Sequence, residues 1–279
     1  EALLKKYGNS ELYEVKIPYL YFLNTDIHQA FFNKKLTIGN IRIAEPEINF
    51  ESFASLKVKN EANPGIDEFY RLLSNYINDV DIRQIEAKDG KLKLTSHDRK
   101  GKTIGFDNQF NLILDKFRLN KDEIGQRKLL FSENIDLKIQ KYLFRLSDKV
   151  HYLQAGEIGL STFDSHVYVK DAILYPDITN PDYKKLPWNI HISIPSVSLS
   201  GVDLLGIYFD EKLSAQKFII SAPDIKLYKV NDEKRNFDFK EFSLLLPDEI
   251  REISIRNFQL DEGKLQLLKE DGFRDQQYM

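Results

Sequence analysis

Period-two alternation of apolar and polar residues runs through the middle of this chain. Ile135, Leu137 and Ile139 alternate with Asp136 and Lys138; Val167 and Val169 alternate with His166, Tyr168 and Lys170; Ile190, Ile192 and Ile194 alternate with polar neighbours. Successive side chains of a strand point to opposite faces, so this pattern predicts a mainly β protein built on a long antiparallel sheet, one face apolar and the other solvent-exposed. Further strands fit KLTIGNIRI from Lys35 and KFIISAPDIKL from Lys217, Pro46 and Pro223 marking a bend or an edge position. Short helices fit Asp26 to Phe32 and Val202 to Phe209, with Thr25 and Gly201 as candidate caps. A second helix in each half fits Ile66 to Tyr76 and Phe239 to Leu246. The stretches DIRQIEAKDGKLKL and SIRNFQLDEGKLQL follow, in which Asp89-Gly90 and Glu262-Gly263 read as hairpin turns.

These elements recur. VKIPYLYFLNTDIHQAFFNKKLTIGNIRIAEPEINF from Val15 aligns without gaps with ISIPSVSLSGVDLLGIYFDEKLSAQKFIISAPDIKL from Ile192, pairing Pro18 with Pro195, Asp26 with Asp203 and Pro46 with Pro223 at a spacing of 177. After a four-residue slip the match resumes at a spacing of 173, pairing Ile82-Arg83 with Ile255-Arg256 and Gly90-Lys91-Leu92 with Gly263-Lys264-Leu265. One unit is therefore roughly 175 residues, the length scale of a large structural repeat. The organisation predicted is a first unit over 1–185, comprising a helix-strand-helix-hairpin block at 15–98 and a strand-rich block at 99–185, and an incomplete second unit over 186–279. The second copy stops where the first continues, so the reading is a fragment of a longer chain.

Composition leaves this picture intact and removes several functions from it. With 42% apolar and 30% charged residues the chain is globular in character, and 40 basic against 43 acidic residues, evenly scattered, offer no basic stripe for nucleic acid and no polybasic cluster for anionic lipid. Cysteine is absent, which excludes disulfides, thiolate metal sites and a cysteine nucleophile. No apolar window is long enough for a membrane-spanning helix or a signal peptide, so any membrane anchor is expected in segments outside this stretch.

Candidate chemistry is sparse. His28, His97, His151, His166 and His191 fall on different elements with no zinc-binding spacing. Gly101-Lys102-Thr103 lacks the upstream glycine of a phosphate-cradling loop, Ser96 standing there, and reads as a solvated connection between strands. Gly159-Leu160-Ser161-Thr162-Phe163 lacks the closing glycine of a nucleophile elbow and reads as a serine on a strand face. No catalytic, cofactor or metal residue is assigned, and no cofactor is called for.

What remains is the apolar face itself. By period two its inner side takes Ile41, Ile43, Ile48 and Phe50; Leu92 and Leu94; Ile135, Leu137 and Ile139; Ile192 and Ile194; Ile225 and Leu227; and Leu265 and Leu267. These residues pack a closed core if the sheet folds on itself, or line an open groove if it does not.

The repeated block, IP followed by a short helix, K-L-x-x-x-x-I-x-I-x-x-P-x-I, then I-x-I-R and G-K-L-x-L, resembles the AsmA-like family. The resemblance is clearest over Lys35 to Phe50 with Lys212 to Leu227 and over Ile82 to Leu94 with Ile255 to Leu267. It implies a curved, U-shaped β-groove in the periplasm or envelope of a Gram-negative bacterium, anchored to the inner membrane in the full-length protein. The implied partners are phospholipid or another acyl-chain lipid and envelope proteins, and the implied role is non-enzymatic lipid transfer or outer-membrane assembly. Two other readings stand beside it: a structural or adhesive β-repeat protein of the cell surface with a closed core, and a carbohydrate-active enzyme whose cleft would be lined by aromatic residues such as Trp188 and Tyr183.

Overall fold

A computed structural model describes residues 11–53, 76–97, 103–123, 126–146, 150–185, 188–229 and 251–269. These residues form fourteen strands and two α-helices. In chain order they are β1 (Glu11–Lys16), β2 (Tyr19–Asp26), α1 (Ile27–Asn33), β3 (Lys35–Ala44), β4 (Glu47–Phe53), β5 (Asp79–His97), β6 (Thr103–Asn120), β7 (Asn134–Arg145), β8 (His151–Ser161), β9 (His166–Pro176), β10 (Trp188–Ser200), α2 (Leu204–Asp210), β11 (Lys212–Ser221), β12 (Asp224–Lys229), β13 (Glu252–Asp261) and β14 (Lys264–Lys269). All strands belong to one open, mostly antiparallel sheet, ordered β1-β4-β5-β6-β7-β8-β9-β10-β11-β13, with β2 beside β3 and β14 beside β12. The helices predicted over Ile66 to Tyr76, Tyr76 itself apart, and over Phe239 to Leu246, and the loop Arg99 to Lys102, lie outside the described residues.

The sheet departs from the antiparallel expectation at four ladders. β3 and β4 run parallel to β5, and β11 and β12 run parallel to β13 and β14. Residues 54–78 and 230–251 separate the partners, enough chain to cross over and re-enter in the same direction, which a tight turn cannot do.

The same ladders overturn the predicted hairpins. β5 passes through Asp89-Gly90 without reversing, and β14 keeps the direction of β13 beyond Glu262-Gly263. The turn chemistry is used for something else: Asp89 (φ 52°) and Glu262 (φ 43°) adopt the left-handed conformation, and β5 slips register against β6 between Ala87 and Gly90. Such an irregularity bends and twists a strand without ending it.

The two short helices predicted over Asp26 to Phe32 and Val202 to Phe209 are present, with different caps. The carboxylate of Asp26 accepts from the Gln29 backbone N–H (3.0 Å), and that of Asp203 accepts from the Gly206 N–H (2.8 Å). Aspartate reaches the amide three residues on, which suits it to the position better than the preceding Thr25 or the side-chain-less Gly201. α1 and α2 end at left-handed Lys34 and Glu211.

The repeat is thus geometrical as well as textual. Left-handed backbone recurs at Asn24 and Gly201, at Lys34 and Glu211, at Glu45 and Ala222, and at Asp89 and Glu262. Lys35 stands opposite Asp79 as Lys212 stands opposite Glu252, and Ile48 opposite Leu92 as Ile225 opposite Leu265.

By packing, the chain divides into two compact units, Glu1–Ile139 with Ser161–Phe163, and Gln140–Leu160 with Asp164–Met279. The first contains a buried cluster of Ile38, Val80, Ile82 and Leu119, the second a buried cluster of Leu146, Leu174, Ile190, Ile192 and Leu227.

Candidate functional site

The apolar face of the first unit is kept continuous by irregularities that would scramble it in a regular strand. On β3 the apolar residues fall at Leu36 and Ile38, then change parity to Ile41 and Ile43; on β5 at Val80 and Ile82, then Ile85 and Ala87; on β6 at Leu119 and Phe117, then Leu114 and Leu112. Each change falls where the ladders skip one pair, at Gly39, Arg83 and left-handed Lys116. One extra residue flips the facing of everything beyond it, so the parity change restores the face. Ile41 and Ile85 accordingly pack against the same cluster as Ile38 and Ile82.

β6 measures the second change. Leu114, Leu112, Phe110 and Asn108 keep one parity and stand opposite Ile85, Ala87, Gly90 and Leu92. Leu92 therefore shares the face of Ile85, although the two are an odd number of positions apart, and Ile48 joins it as the partner of Leu92.

The predicted lining residues fall into three groups. Ile135, Ile192 and Leu227 are buried, the last two inside the cluster of the second unit. Ile41, Ile43, Ile48, Phe50, Leu92, Leu94, Leu137, Ile139, Ile194 and Ile225 are half-buried. Leu265 and Leu267 are 66% and 70% exposed. Trp188 is half-buried and packs against the cluster of the second unit, and Tyr183 is 4% exposed.

The other face of β3, β5 and β6 is a polar network. Arg83 donates to Asn40 (2.5 Å), Asn40 to Gln84 (3.1 Å) and Gln84 to Asp115 (3.0 Å). Beside it Glu86 accepts from Arg42 (3.1 Å) and pairs with Lys88 (2.9 Å). The Lys88 hydrogen bond, with that of Arg42 behind it, holds the Glu86 carboxyl below the usual carboxylate range.

One feature was accessible to sequence reasoning and missed by it. Each helix ends in two adjacent aromatic residues at equivalent positions, Phe31-Phe32 and Tyr208-Phe209, packed edge to face with ring centroids 5.2 and 4.9 Å apart. Phe31 is 80% and Tyr208 69% exposed. The signal was there: FF and YF occupy the same place in the two copies.

Among the described residues no cluster of His, Asp and Glu could hold a metal ion. His191, half-buried on β10 beside Lys226 and Asp224 of β12, has its pKa lowered, first by burial and then by the Lys226 ammonium, with Asp224 opposing. A histidine whose folded pKa lies below its unfolded value binds fewer protons folded than unfolded, so its contribution to stability is lost as pH falls through about 6.5 toward the folded value. Urea midpoints measured between pH 8 and 5 are expected to drop over that window in the wild type and to flatten in His191→Gln.

No family model matches the chain, and neither a curated protein nor a solved structure matches it.

Proposed function

We propose that this chain is a non-enzymatic lipid-binding module that holds acyl chains against its apolar strand face, serving lipid transfer or outer-membrane assembly in a bacterial envelope. The observation that carries the reading is the half-buried state of that face. Ile41, Ile43, Ile48, Phe50, Leu92 and Leu94 lie in one packing unit, on one face of neighbouring strands, and none of them is fully covered. Contiguous apolar surface left accessible in a folded protein marks a binding surface. Covering it with acyl chains gains roughly 25 cal/mol per Å² of apolar area, while head groups stay in water. The repeated exposed aromatic pairs of α1 and α2 add apolar surface of the kind that settles at a lipid–water boundary. The AsmA-like resemblance of the repeat points the same way, to the periplasm and to phospholipid.

A structural or adhesive β-repeat reading is favoured by the second unit, where Ile192 and Leu227 sit in a closed cluster. Native mass spectrometry with lipid extraction separates the two, comparing wild type with a Leu92→Asp, Ile194→Asp variant whose fold is checked by circular dichroism. Phospholipid bound to the wild type and lost from the folded variant supports the lipid module; a wild type that carries none, also after incubation with phospholipid vesicles, supports the structural reading.

A further inference from the structure

The two copies of the repeat provide an internal control for which strand edges are filled. β10 is flanked on both sides. On one side Ser196 stands opposite Ser221 of β11 and Ile192 opposite Ile225 of β12; on the other, Ile192 to Ser200 run antiparallel to Leu174 to His166 of β9. In the first copy the same register appears on the first side alone. Tyr19 stands opposite Ala44 of β3 and Val15 opposite Ile48 of β4, each 177 residues before its counterpart. No described strand pairs with β1 or β2 in the place that β9 occupies.

The side chains register the difference. Ile192 is 7% exposed, whereas its counterpart Val15 is 59% exposed. Ile194, Val197 and Leu199 are half-buried, whereas their counterparts Ile17, Leu20 and Phe22 are 47%, 45% and 54% exposed. An edge this apolar, whose backbone groups no described strand pairs on that side, is a template for another strand.

We infer that the outer edge of β1 and β2 is a docking edge for one antiparallel strand with the pattern of β9, supplied by another unit of the same repeat. β9 shows what such a strand must carry. Leu174, Ala172, Val169 and Val167 face Ile192, Ile194, Val197 and Leu199, with a parity change between Val169 and Ala172. At the change the ladder skips Pro195, which has no N–H to give, and Asp171 opposite it is left-handed (φ 51°). Pro18 occupies the place of Pro195 in the first copy. The docked strand therefore needs two apolar residues at alternate positions, a residue such as Asp, Asn or Gly that tolerates left-handed backbone opposite Pro18, and two more apolar residues beyond it. Its register is set: the residue in the place of Val169 meets Leu20, and that in the place of Leu174 meets Val15.

The absence of cysteine makes the test clean. A synthetic peptide of residues 166–176 carrying Val169→Cys is offered to the full chain carrying Leu20→Cys or, as an off-register control on the opposite strand face, Tyr21→Cys. Both positions are about half exposed, so neither substitution threatens the fold. With oxidised glutathione as the two-electron acceptor, disulfide formation is expected at least tenfold faster with Leu20→Cys than with Tyr21→Cys, and a peptide that also carries Asp171→Pro, which cannot take positive φ, should lose that preference. Equal rates at the two positions overturn the inference. So does a Leu20→Cys chain that cross-links to itself in preference to the peptide, since the edge then belongs to a second copy's own edge. Neither result depends on lipid.

Discussion

Ile82→Ala is expected to destabilise the first unit by about 2–5 kcal/mol, while Ile255→Ala, the same substitution at the equivalent position of the second copy, is expected to cost about 1 kcal/mol or less. Ile82 is 5% exposed inside the cluster with Ile38, Val80 and Leu119, the last two carried by β5 and β6. Removing its side chain leaves a cavity that well-packed neighbours cannot fill. Ile255 lies on β13, flanked by β11 and by no counterpart of β6 among the described residues. The neighbouring equivalents show the same contrast, Val80 at 8% exposure against Ile253 at 43%. Chemical denaturation followed by far-UV circular dichroism, read at the transition of the substituted unit, gives the two values. Equal costs would mean that β13 is as well covered as β5.

The second large effect concerns a pair of positions that the two copies solve in opposite ways. In the first copy left-handed Asn24 faces Gly39; in the second, left-handed Gly201 faces Gln216. A Cβ added to Gly39 would meet the Asn24 Cβ at 2.9 Å, and one added to Gly201 would meet the Gln216 Cγ and Cβ at 2.5 and 2.8 Å. Each pair has room for one side chain. Gly201→Asn is therefore expected to cost about 1–3 kcal/mol by overpacking. Gln216→Gly alone should cost about 1 kcal/mol for added chain entropy and lost β propensity. The double variant reproduces the arrangement of the first copy and should return to within about 1 kcal/mol of wild type. A double-mutant cycle in urea measures the coupling, and strict additivity would show that the clash is relieved without the partner.

The positions of this swap, and those of the left-handed residues, are hard to find in one copy and plain in two. Aligning Val15 with Ile192 places Asn24 on Gly201 and Gly39 on Gln216, so the exchange of glycine between the two positions can be read before any coordinates. Its meaning cannot, because nothing in the chain says that residues 24 and 39 stand face to face. The aromatic pairs at Phe31-Phe32 and Tyr208-Phe209 are equally visible in the alignment. Their exposure is not, since a helix end is buried or bare according to what packs on it.

Alternation at Ile135 to Ile139, Val167 to Val169 and Ile190 to Ile194 is sufficient to predict strands and a sheet with one apolar face, because side-chain direction in a strand follows from local geometry alone. Self-similarity is sufficient for the repeat and for both short helices. Strand direction needs more. Asp89-Gly90 has the chemistry of a tight turn and is used as an irregularity within a strand, because β4 and β6 flank β5 beyond it and keep the chain from reversing at a left-handed residue. Facing also needs more, since Ile43 and Ile48 share a face only if one residue is absorbed between them, and whether a chain absorbs or propagates that slip is settled by the strand across the ladder. Coverage is the most remote of all. Val15 and Ile192 are similar residues in matching contexts, and one is exposed while the other is buried because Ile192 has a strand on each side, β9 and β12, whereas among the described strands Val15 has only β4.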